Sequence, residues 1–299
     1  GATVTVNYTA TDGASPANTT TCTVVITVND DDAPSITCPA PISMPTDPGQ
    51  CNAVVNYTVS GDDNCSGFTI TRTNGLASGS TFPIGSSTIN WQITDTGGNS
   101  TACSFSVTVN DNEAPALGCP GNQTITTSSN GTGDCTGGYA FGDPLSDNCT
   151  GATWNASFSG NTNGNPTALT GVADGTGSGT VTYQKGTTTV TLSATDAASN
   201  AATTCYFTVT VNDNEMPVLT CPGTQIINSA SGTCAGGYAF GDPLSDNCSG
   251  AVWNAAFSGN ANGNPTALTG IADGTGSGPV TYQKGTTTVT LSATDAASN

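Results

Sequence analysis

The chain has 299 residues, of which three are basic and 21 acidic, and it contains no histidine, so its formal net charge at pH 7 is −18. A surface this acidic repels nucleic acid phosphates and anionic membrane surfaces, which argues against both as partners. Hydrophobic residues make up 35% of the chain, which suits several small β domains better than one large core. No run approaches the ~20 apolar residues of a membrane-spanning helix, so no membrane insertion is predicted.

Strand signals dominate the chain from its first repeat to its last. Residues 104–109 alternate serine or threonine with apolar residues, and residues 187–194 do the same. A period of two with threonine on the outer face is typical of a half-buried antiparallel sheet. Glycine, proline and Asn-Gly or Asp-Gly pairs supply turns, and no helical pattern stands out. The predicted fold class is all-β.

An acidic linker marks each predicted domain boundary. The pattern Val-Asn-Asp, three further residues and then Pro occurs at residues 28–34, 109–115 and 211–217. A linker this short, stiffened by a proline, favours modules arranged end to end. The predicted domains are 1–29, the tail of a truncated repeat; 30–110, a complete repeat; 111–212, a longer repeat; and 213–299, a repeat that lacks its last strand.

Twelve cysteines keep a fixed order in these repeats. They are Cys22; then Cys38, Cys51, Cys65 and Cys103; then Cys119, Cys135, Cys149 and Cys205; and finally Cys221, Cys234 and Cys248. Four cysteines per small domain in a histidine-free chain predict disulfide bonds and an oxidising, extracellular compartment. A zinc site is the competing interpretation, but no Cys-x-x-Cys pair occurs.

The last two repeats are near copies of each other. Residues 137–200 recur 99 residues later as 236–299, with six substitutions in 64 positions. Such copies indicate recent duplication within a longer array, which offers one surface many times and seldom builds a single active site. Because the chain lacks histidine, it has no Ser-His-Asp or Cys-His arrangement, and we predict that it is not an enzyme. The longer repeats carry an extra segment near 159–166, predicted to be an exposed loop or an extra hairpin.

Residues 30–110 carry a further series of landmarks: Cys-Pro after the linker, then Asp-Asn-Cys, Phe-Pro-Ile-Gly at 82–85, a strand that ends in Thr-Asp, and Cys-Ser-Phe at 103–105. This series resembles the hyalin repeat (HYR) family, an extracellular immunoglobulin-like adhesion module. Repeats 111–212 and 213–299 lack Phe-Pro-Ile-Gly and resemble divergent members. The resemblance implies tandem immunoglobulin-like β-sandwich domains arranged end to end. The four-cysteine array also resembles the very large surface adhesins of Bacteroidota, among them those of gliding flavobacteria.

The resemblance implies a disulfide pattern as well. The first and fourth cysteines of a repeat would bond, as Cys38–Cys103 and Cys119–Cys205. The second and third would bond, as Cys51–Cys65, Cys135–Cys149 and Cys234–Cys248. A straight strand after the second cysteine would hold its ends roughly 20 Å apart, so the second pattern requires the chain to double back.

The acidic linkers are the best candidate for a binding site. In an immunoglobulin-like module the linker enters beside the loops that carry Asp-Asn-Cys and Thr-Asp, so their carboxylates should meet. The predicted ligands are Asp30, Asp31, Asp32, Asp62, Asp63 and Asp95; Asp111, Glu113, Asp147 and Asp196; and Asp213, Glu215, Asp246 and Asp295. Several carboxylates with no basic residue nearby need a cation, and oxygen ligands suit calcium. The alternative is that each Asp caps a turn and the acidity serves solubility.

The predicted function is mechanical: a disulfide-stapled, calcium-rigidified region of a long bacterial cell-surface protein that forms an adhesin stalk or fibre. Its expected partners are other repeats of the same chain. One alternative is a self-assembling extracellular filament, in which neighbouring copies pack laterally. Another is a glycan-binding accessory region of a secreted enzyme, with surface polysaccharide as ligand and Trp154 and Trp253 as the platform. Alternation of Trp154 with Ala156 and Phe158 favours core packing of that ring instead.

Overall fold

The computed structural model describes residues 2–127 and 133–299, which fall into two compact units, Gly1–Glu113 and Ala114–Asn299. The described residues form 26 strands, β1 to β26, and none of them lies in an α-helix. We therefore find no described helix with the length and apolar character that a membrane crossing requires. The all-β prediction is confirmed, whereas the four repeat boundaries stay a prediction.

The first unit contains a hairpin and a β-sandwich. Its strands are β1 (Ala2–Thr11), β2 (Thr19–Val28), β3 (Ser35–Thr37), β4 (Ile42–Pro45), β5 (Asn52–Val55), β6 (Ser60–Asp62), β7 (Phe68–Asn74), β8 (Ser80–Pro83), β9 (Gly85–Asp95) and β10 (Ser100–Asn110). The hairpin pairs β1 with β2. The main sheet has the order β4-β10-β9-β7, with β4 parallel to β10 and the other pairs antiparallel.

The opposite layer of this sandwich is the β5–β8 pair, with β3–β6 as a second short pair. Phe82 from β8 packs with Ile89 from β9 and with Phe105 and Val107 from β10 in one buried cluster. The alternating pattern of β10 explains this arrangement, because its apolar residues are buried while the intervening polar ones are more exposed. The period-two prediction is confirmed here.

The second unit contains two further sandwiches. The first uses β11 (Ala116–Leu117), β12 (Gln123–Thr126), β13 (Thr136–Tyr139), β14 (Leu145–Ser146), β15 (Thr153–Ser159), β16 (Leu169–Ala173), β17 (Val181–Gln184), β18 (Gly186–Thr195) and β19 (Cys205–Asn212). Its main sheet has the order β12-β19-β18-β15-β16, again with a parallel edge pair, β12 with β19. The pair β13–β17 faces it across a core centred on Trp154, Tyr183 and Phe207.

The last repeat has the same plan. Its strands are β20 (Val218–Leu219), β21 (Ala235–Phe240), β22 (Leu244–Ser245), β23 (Val252–Ser258), β24 (Leu268–Ala272), β25 (Gly278–Gln283) and β26 (Thr288–Thr294). Whereas β18 lies between β15 and β19, its counterpart β26 pairs with β23 alone among the described strands. The extra segment of the longer repeats is a hairpin, since β15 pairs with β16 and β23 with β24.

Two disulfides have the first-to-fourth pattern that the resemblance implies. Cys38 bonds to Cys103, with Cα atoms 6.0 Å apart. Cys119 bonds to Cys205, with Cα atoms 5.9 Å apart. Each bond closes a sandwich near its main sheet, because the fourth cysteine lies in or at the start of the strand that precedes the next linker.

The second-to-third pairing is wrong. Cys135 bonds to Cys248 of the following repeat, 113 residues later, with Cα atoms 4.8 Å apart. Cys65 and Cys234 are free thiols, whereas Cys51 and Cys149 are disulfide-bonded. None of the bonds Cys51–Cys65, Cys135–Cys149 and Cys234–Cys248 is therefore formed.

The strand that follows the second cysteine explains this correction. Strand β13 begins directly after Cys135 and carries the chain away from it. Cys149 follows β14, which pairs with β11 just after the entering linker. The two cysteines of one repeat thus lie at different ends of the module, and the doubling back that a bond within the repeat would need does not occur.

Candidate metal centre

A tight turn after each long strand holds the central carboxylate of the candidate site. In the first unit, Asp95 Oδ1 accepts the backbone N–H groups of Gly98, at 2.6 Å, and of Asn99, at 2.8 Å. The Asn99 side chain donates to Asp95 Oδ2 at 2.9 Å and to the linker carbonyl of Asp30 at 3.1 Å. This asparagine therefore ties the turn to the linker.

The last repeat builds the same arrangement from its own residues. Asn299 donates from its side chain to Asp295 Oδ2 at 2.9 Å and to the carbonyl of Asp213 at 3.2 Å. These asparagines are not among the site residues predicted from the sequence. A signal for them was present, because Thr-Asp followed by three residues and Asn occurs at 94–99, 195–200 and 294–299.

The Asp-Asn-Cys segment supplies a second carboxylate through a short turn of its own. Asp63 Oδ2 accepts the N–H of Cys65 at 3.2 Å, and Asp246 Oδ2 accepts the N–H of Cys248 at 3.3 Å. An aspartate that accepts the amide two residues ahead is held in a fixed direction. The turn therefore uses one carboxylate oxygen of each aspartate, Oδ2, and its hydrogen bond does not engage the other.

These elements bring three carboxylates together in each unit. One oxygen each from Asp30, Asp63 and Asp95 lies within 4.8 Å of the other two. Asp213, Asp246 and Asp295 form an equivalent group, again within 4.8 Å.

Not every oxygen in these two groups has a donor. Asp30 Oδ2 and Asp246 Oδ1 are buried and accept no hydrogen bond. A buried carboxylate oxygen without a hydrogen-bond donor is costly, so such an oxygen favours a nearby cation.

The middle repeat contributes a partial equivalent within the second unit. Asp147 and Asp196 offer oxygens within 4.8 Å of each other. Asp196 accepts the backbone N–H and the side-chain N–H of Asn200, both at 2.7 Å, as its counterparts do in the other turns. Asp111, the linker residue of this repeat in the sequence, lies in the first unit and is half-buried.

Five of the predicted ligands lie outside the three-carboxylate groups. Asp31 and Asp62 are exposed, and Asp32 accepts a hydrogen bond from the Asn64 side chain at 2.8 Å. Glu113 is exposed and accepts the N–H of Gly49 at 2.9 Å. The fifth is Glu215, whose Oε1 is buried without a hydrogen-bond partner.

Two carboxyl groups of the last cluster, those of Asp246 and Asp295, have pKa values shifted in opposite directions. Burial, and then the charges of Asp213 and Asp295, raise the pKa of Asp246. Burial opposes ionisation of Asp295 as well, but the hydrogen bonds from Asn299 outweigh it and lower the pKa of Asp295. Asp246 therefore takes up a proton before Asp295 as the pH falls.

A lysine stands beside one cluster, contrary to the prediction that no basic residue is near. Lys185 Nζ lies 3.0 Å from Asp213 Oδ2, and the Asp213 side chain is fully buried in this ion pair. Among the described residues, no such ion pair involves Asp30, Asp63 or Asp95. The cluster of the first unit thus carries the larger uncompensated negative charge.

The tryptophans do not form a binding platform. Trp154 and Trp253 are both 0% exposed. The indole N–H of Trp154 donates to the carbonyl of Thr176 at 3.1 Å, and that of Trp253 to the carbonyl of Thr275 at 3.1 Å. Their predicted core packing is confirmed, and the idea that their faces hold a sugar is wrong.

Comparison with known proteins finds a match to one domain family over part of the chain. Residues 29–109 match the HYR domain. The chain is also similar to Hyalin of Strongylocentrotus purpuratus, with 27% identity over 258 residues. That alignment covers 84% of this chain but only 20% of Hyalin, so the chain spans about a fifth of that relative's length.

Similar solved structures come from cadherins. Mouse cadherin-23 EC22-24 has 14% sequence identity and a TM-score of 0.33, over 89% of this chain and 94% of that one. Protocadherin gammaB7 EC3-6 has 15% identity and a TM-score of 0.34, over 97% of this chain and 84% of that one. Scores this low carry no functional argument. The similarity to HYR domains is thus shown over 29–109, and the similarity to Hyalin extends over most of the chain.

Proposed function

We propose that this chain is a structural and adhesive repeat region of a long extracellular protein, which forms a stalk or fibre on a bacterial surface. The bond between Cys135 and Cys248 carries the proposal, because it joins two successive repeats covalently. A bond of this kind adds nothing to a catalytic centre, but it resists separation of neighbouring modules under tension. Disulfides of this density belong outside the cell, as the HYR match also suggests.

The repetition of the acidic clusters supports a structural role over an enzymatic one. The same turn and the same three carboxylates occur in both units, at the start of a repeat each time. A catalytic carboxylate pair needs one cleft that positions one substrate. Carboxylates that recur in both units suit a task that each unit performs.

We further propose that calcium occupies the cluster of Asp30, Asp63 and Asp95. Carboxylate oxygens together with a linker carbonyl are the ligands that calcium prefers. The linker, the Asp-Asn-Cys turn and the Thr-Asp turn each supply one carboxylate to this group. A cation there would fix the linker against the sandwich that follows it.

Thermal unfolding with and without calcium tests this part of the proposal. Extracellular modules bind calcium with Kd values of about 0.1–1 mM, so about 10 mM calcium should stabilise the first unit by roughly 1.4–3 kcal/mol. That corresponds to a rise in Tm of about 5–15 °C relative to chelator. Asp63→Asn should remove most of the rise.

Asp62→Asn is the matched control, since Asp62 is the exposed neighbour of Asp63 and lies outside the cluster. It should keep the calcium-dependent rise. Equal Tm values in calcium and chelator for the unmodified chain would remove calcium from the proposal while leaving the structural role in place.

Sedimentation of the oxidised chain separates the stalk from the filament. A stalk segment should stay monomeric at all concentrations, whereas a filament subunit should assemble as its concentration rises. Attachment of chain-coated beads to polysaccharide-coated surfaces tests adhesion directly. Beads that detach as readily as uncoated ones would limit the function of this region to support.

A further inference from the structure

Equivalent cysteines in this chain share a local hydrogen bond from repeat to repeat. The third cysteine always follows an aspartate that accepts its amide: Asp63 for Cys65 at 3.2 Å and Asp246 for Cys248 at 3.3 Å. Cys65 is nevertheless an exposed free thiol, whereas Cys248 is bonded and buried. The two positions share the hydrogen bond from the amide to the aspartate, and they differ in whether the cysteine is bonded.

The second cysteines of the last two repeats also share a hydrogen bond and differ in whether they are bonded. The carbonyl of Cys135 accepts the N–H of Lys185 at 3.1 Å, and that of Cys234 accepts the N–H of Lys284 at 2.8 Å. Cys135 is bonded to Cys248, while Cys234 is an exposed free thiol.

Further contacts hold Cys135 and Cys248 together. The side chain of Asn247, next to Cys248, donates to the carbonyl of Asp134, next to Cys135, at 3.3 Å. Lys185, which follows β17 of the earlier repeat, forms the ion pair with Asp213 of the linker. Asp213 in turn clusters with Asp246 of the Asp-Asn-Cys turn.

Most of the residues that make these contacts have counterparts around the free thiols Cys234 and Cys65. Lys284 is the counterpart of Lys185 beside Cys234, and the turn of Asp63 repeats that of Asp246, whereas Thr233 stands where Asp134 precedes Cys135. Most residues around the bond between Cys135 and Cys248 therefore recur around Cys234 and Cys65, which is expected if the same bond forms at each junction between repeats.

We propose that Cys234 and Cys65 are complementary attachment cysteines for a flanking repeat of the same kind. Cys234 bonds to the cysteine of an Asp-Asn-Cys turn, and Cys65 bonds to a cysteine equivalent to Cys135. Each bond forms when two thiols lose two protons and two electrons to a disulfide oxidant, such as oxidised glutathione, which is reduced to two thiols. This inference goes beyond the proposed function and does not depend on calcium.

A chain extended by one repeat tests the proposal. A second copy of residues 201–299 is placed after Asn299, which corresponds to Asn200 and so keeps the repeat in phase. After oxidation in glutathione buffer, non-reducing peptide mapping should find Cys234 bonded to the added counterpart of Cys248. The number of free thiols should equal that of the parent chain, because the added counterpart of Cys205 bonds to Cys221 in the same way that Cys205 bonds to Cys119.

Two variants of the extended chain test whether the new bond forms through Cys234. Cys234→Ser should leave the added counterpart of Cys248 as a thiol, while the Cys135–Cys248 bond stays in place as evidence that the fold is intact. Cys22→Ser is the matched control, since Cys22 is also an exposed free thiol, and it should leave the new bond unchanged.

A second experiment tests whether another copy of the chain can supply the flanking repeat. Cys65→Ser and Cys234→Ser chains are oxidised separately and as a mixture. A dimer that forms only in the mixture, through Cys234 of one copy and Cys65 of the other, would identify a second copy as the source. Bonding in the extended chain alone would identify a tandem repeat. The absence of the bond in both arms, or equal dimer formation by each variant alone, would overturn the proposal.

Discussion

Asn161 is a buried polar residue in a loop that otherwise faces solvent. Its side-chain N–H groups donate to the carbonyl of Gln184 at 3.0 Å and to the hydroxyl of Thr188 at 3.3 Å. Its side-chain oxygen accepts the N–H of Asn163 at 3.0 Å. One amide thus ties the loop of the extra hairpin to the turn between β17 and β18, and Asn260 repeats these contacts in the next repeat.

Asn161→Ala should lower the free energy of unfolding of its sandwich by about 2 kcal/mol, because it leaves buried backbone groups without partners. Urea unfolding monitored by fluorescence of the buried Trp154 would measure this loss. Thr162→Ala is the control, since the next repeat already has Ala261 at that position, and it should change the free energy by less than about 0.5 kcal/mol. Equal losses in the two variants would contradict a special role for Asn161.

At the scale of single residues, the sequence allowed burial to be predicted better than contacts. Alternation with apolar neighbours placed Trp154 in the core, because strand periodicity fixes the face on which a side chain lies. The same reasoning could not find Asn161, since a polar loop residue becomes buried only when a hairpin folds over it. It also missed Lys185 beside Asp213, because nothing in one repeat's pattern indicates which side chains of the previous repeat reach its linker.

The turn after β9, β18 and β26 is the element that recurs most closely at the candidate site. Its third residue after the aspartate has a positive φ in every repeat: Gly98 at 96°, Ser199 at 74° and Ser298 at 71°. Glycine adopts this left-handed conformation freely, whereas a residue with a Cβ atom is strained by about 1 kcal/mol. Two of the three turns therefore hold a serine where glycine would fit better.

Gly98→Ala should destabilise the first unit by about 1 kcal/mol, and Ser298→Gly should stabilise the last repeat by about 0.5–1 kcal/mol. The two expected changes in the free energy of unfolding have opposite signs. A general loss of folding would instead lower the stability of both variants. Differential scanning calorimetry of the oxidised chain would report both shifts. A loss of stability on Ser298→Gly would mean that the serine side chain contributes more than its strained backbone costs.

For whole elements, the landmarks of the sequence predicted which segments lie beside one another. The linker, the Asp-Asn-Cys turn and the Thr-Asp turn do meet, as expected for an immunoglobulin-like module. The aspartates that fall outside the clusters are neighbours in sequence of those inside them, such as Asp62 beside Asp63. Which of two adjacent carboxylates faces the linker depends on the local turn, and composition alone does not encode that direction.

At the scale of the whole molecule, the disulfide topology is the main departure from the sequence-based expectation. Cysteine spacing reveals that a repeat has four cysteines, but not whether a bond stays within that repeat. The first and fourth cysteines lie near each other in one sandwich, so Cys38–Cys103 agrees with the family pattern. The second and third lie at different ends of a repeat, so Cys135 reaches the next repeat instead.

This topology makes a mechanical prediction for the chain under load. The bond holds the Cα atoms of Cys135 and Cys248 at 4.8 Å although 113 residues separate them. When the oxidised chain is pulled from both ends in optical tweezers, the segment between these residues cannot lengthen. In reductant, full unfolding should extend the same segment to about 380 Å, at roughly 3.4 Å per residue.

The variant Cys135→Ser/Cys248→Ser, pulled without reductant, isolates the bond between repeats. It should lengthen by less than the reduced chain, because Cys119–Cys205 still shortens the path between the two positions. The difference in final extended length between this variant and the unmodified oxidised chain is the length of chain that the bond between repeats keeps from extending. If this variant and the unmodified oxidised chain reached the same final length, the bond would not carry load, and a structural role for the region would lose its physical basis.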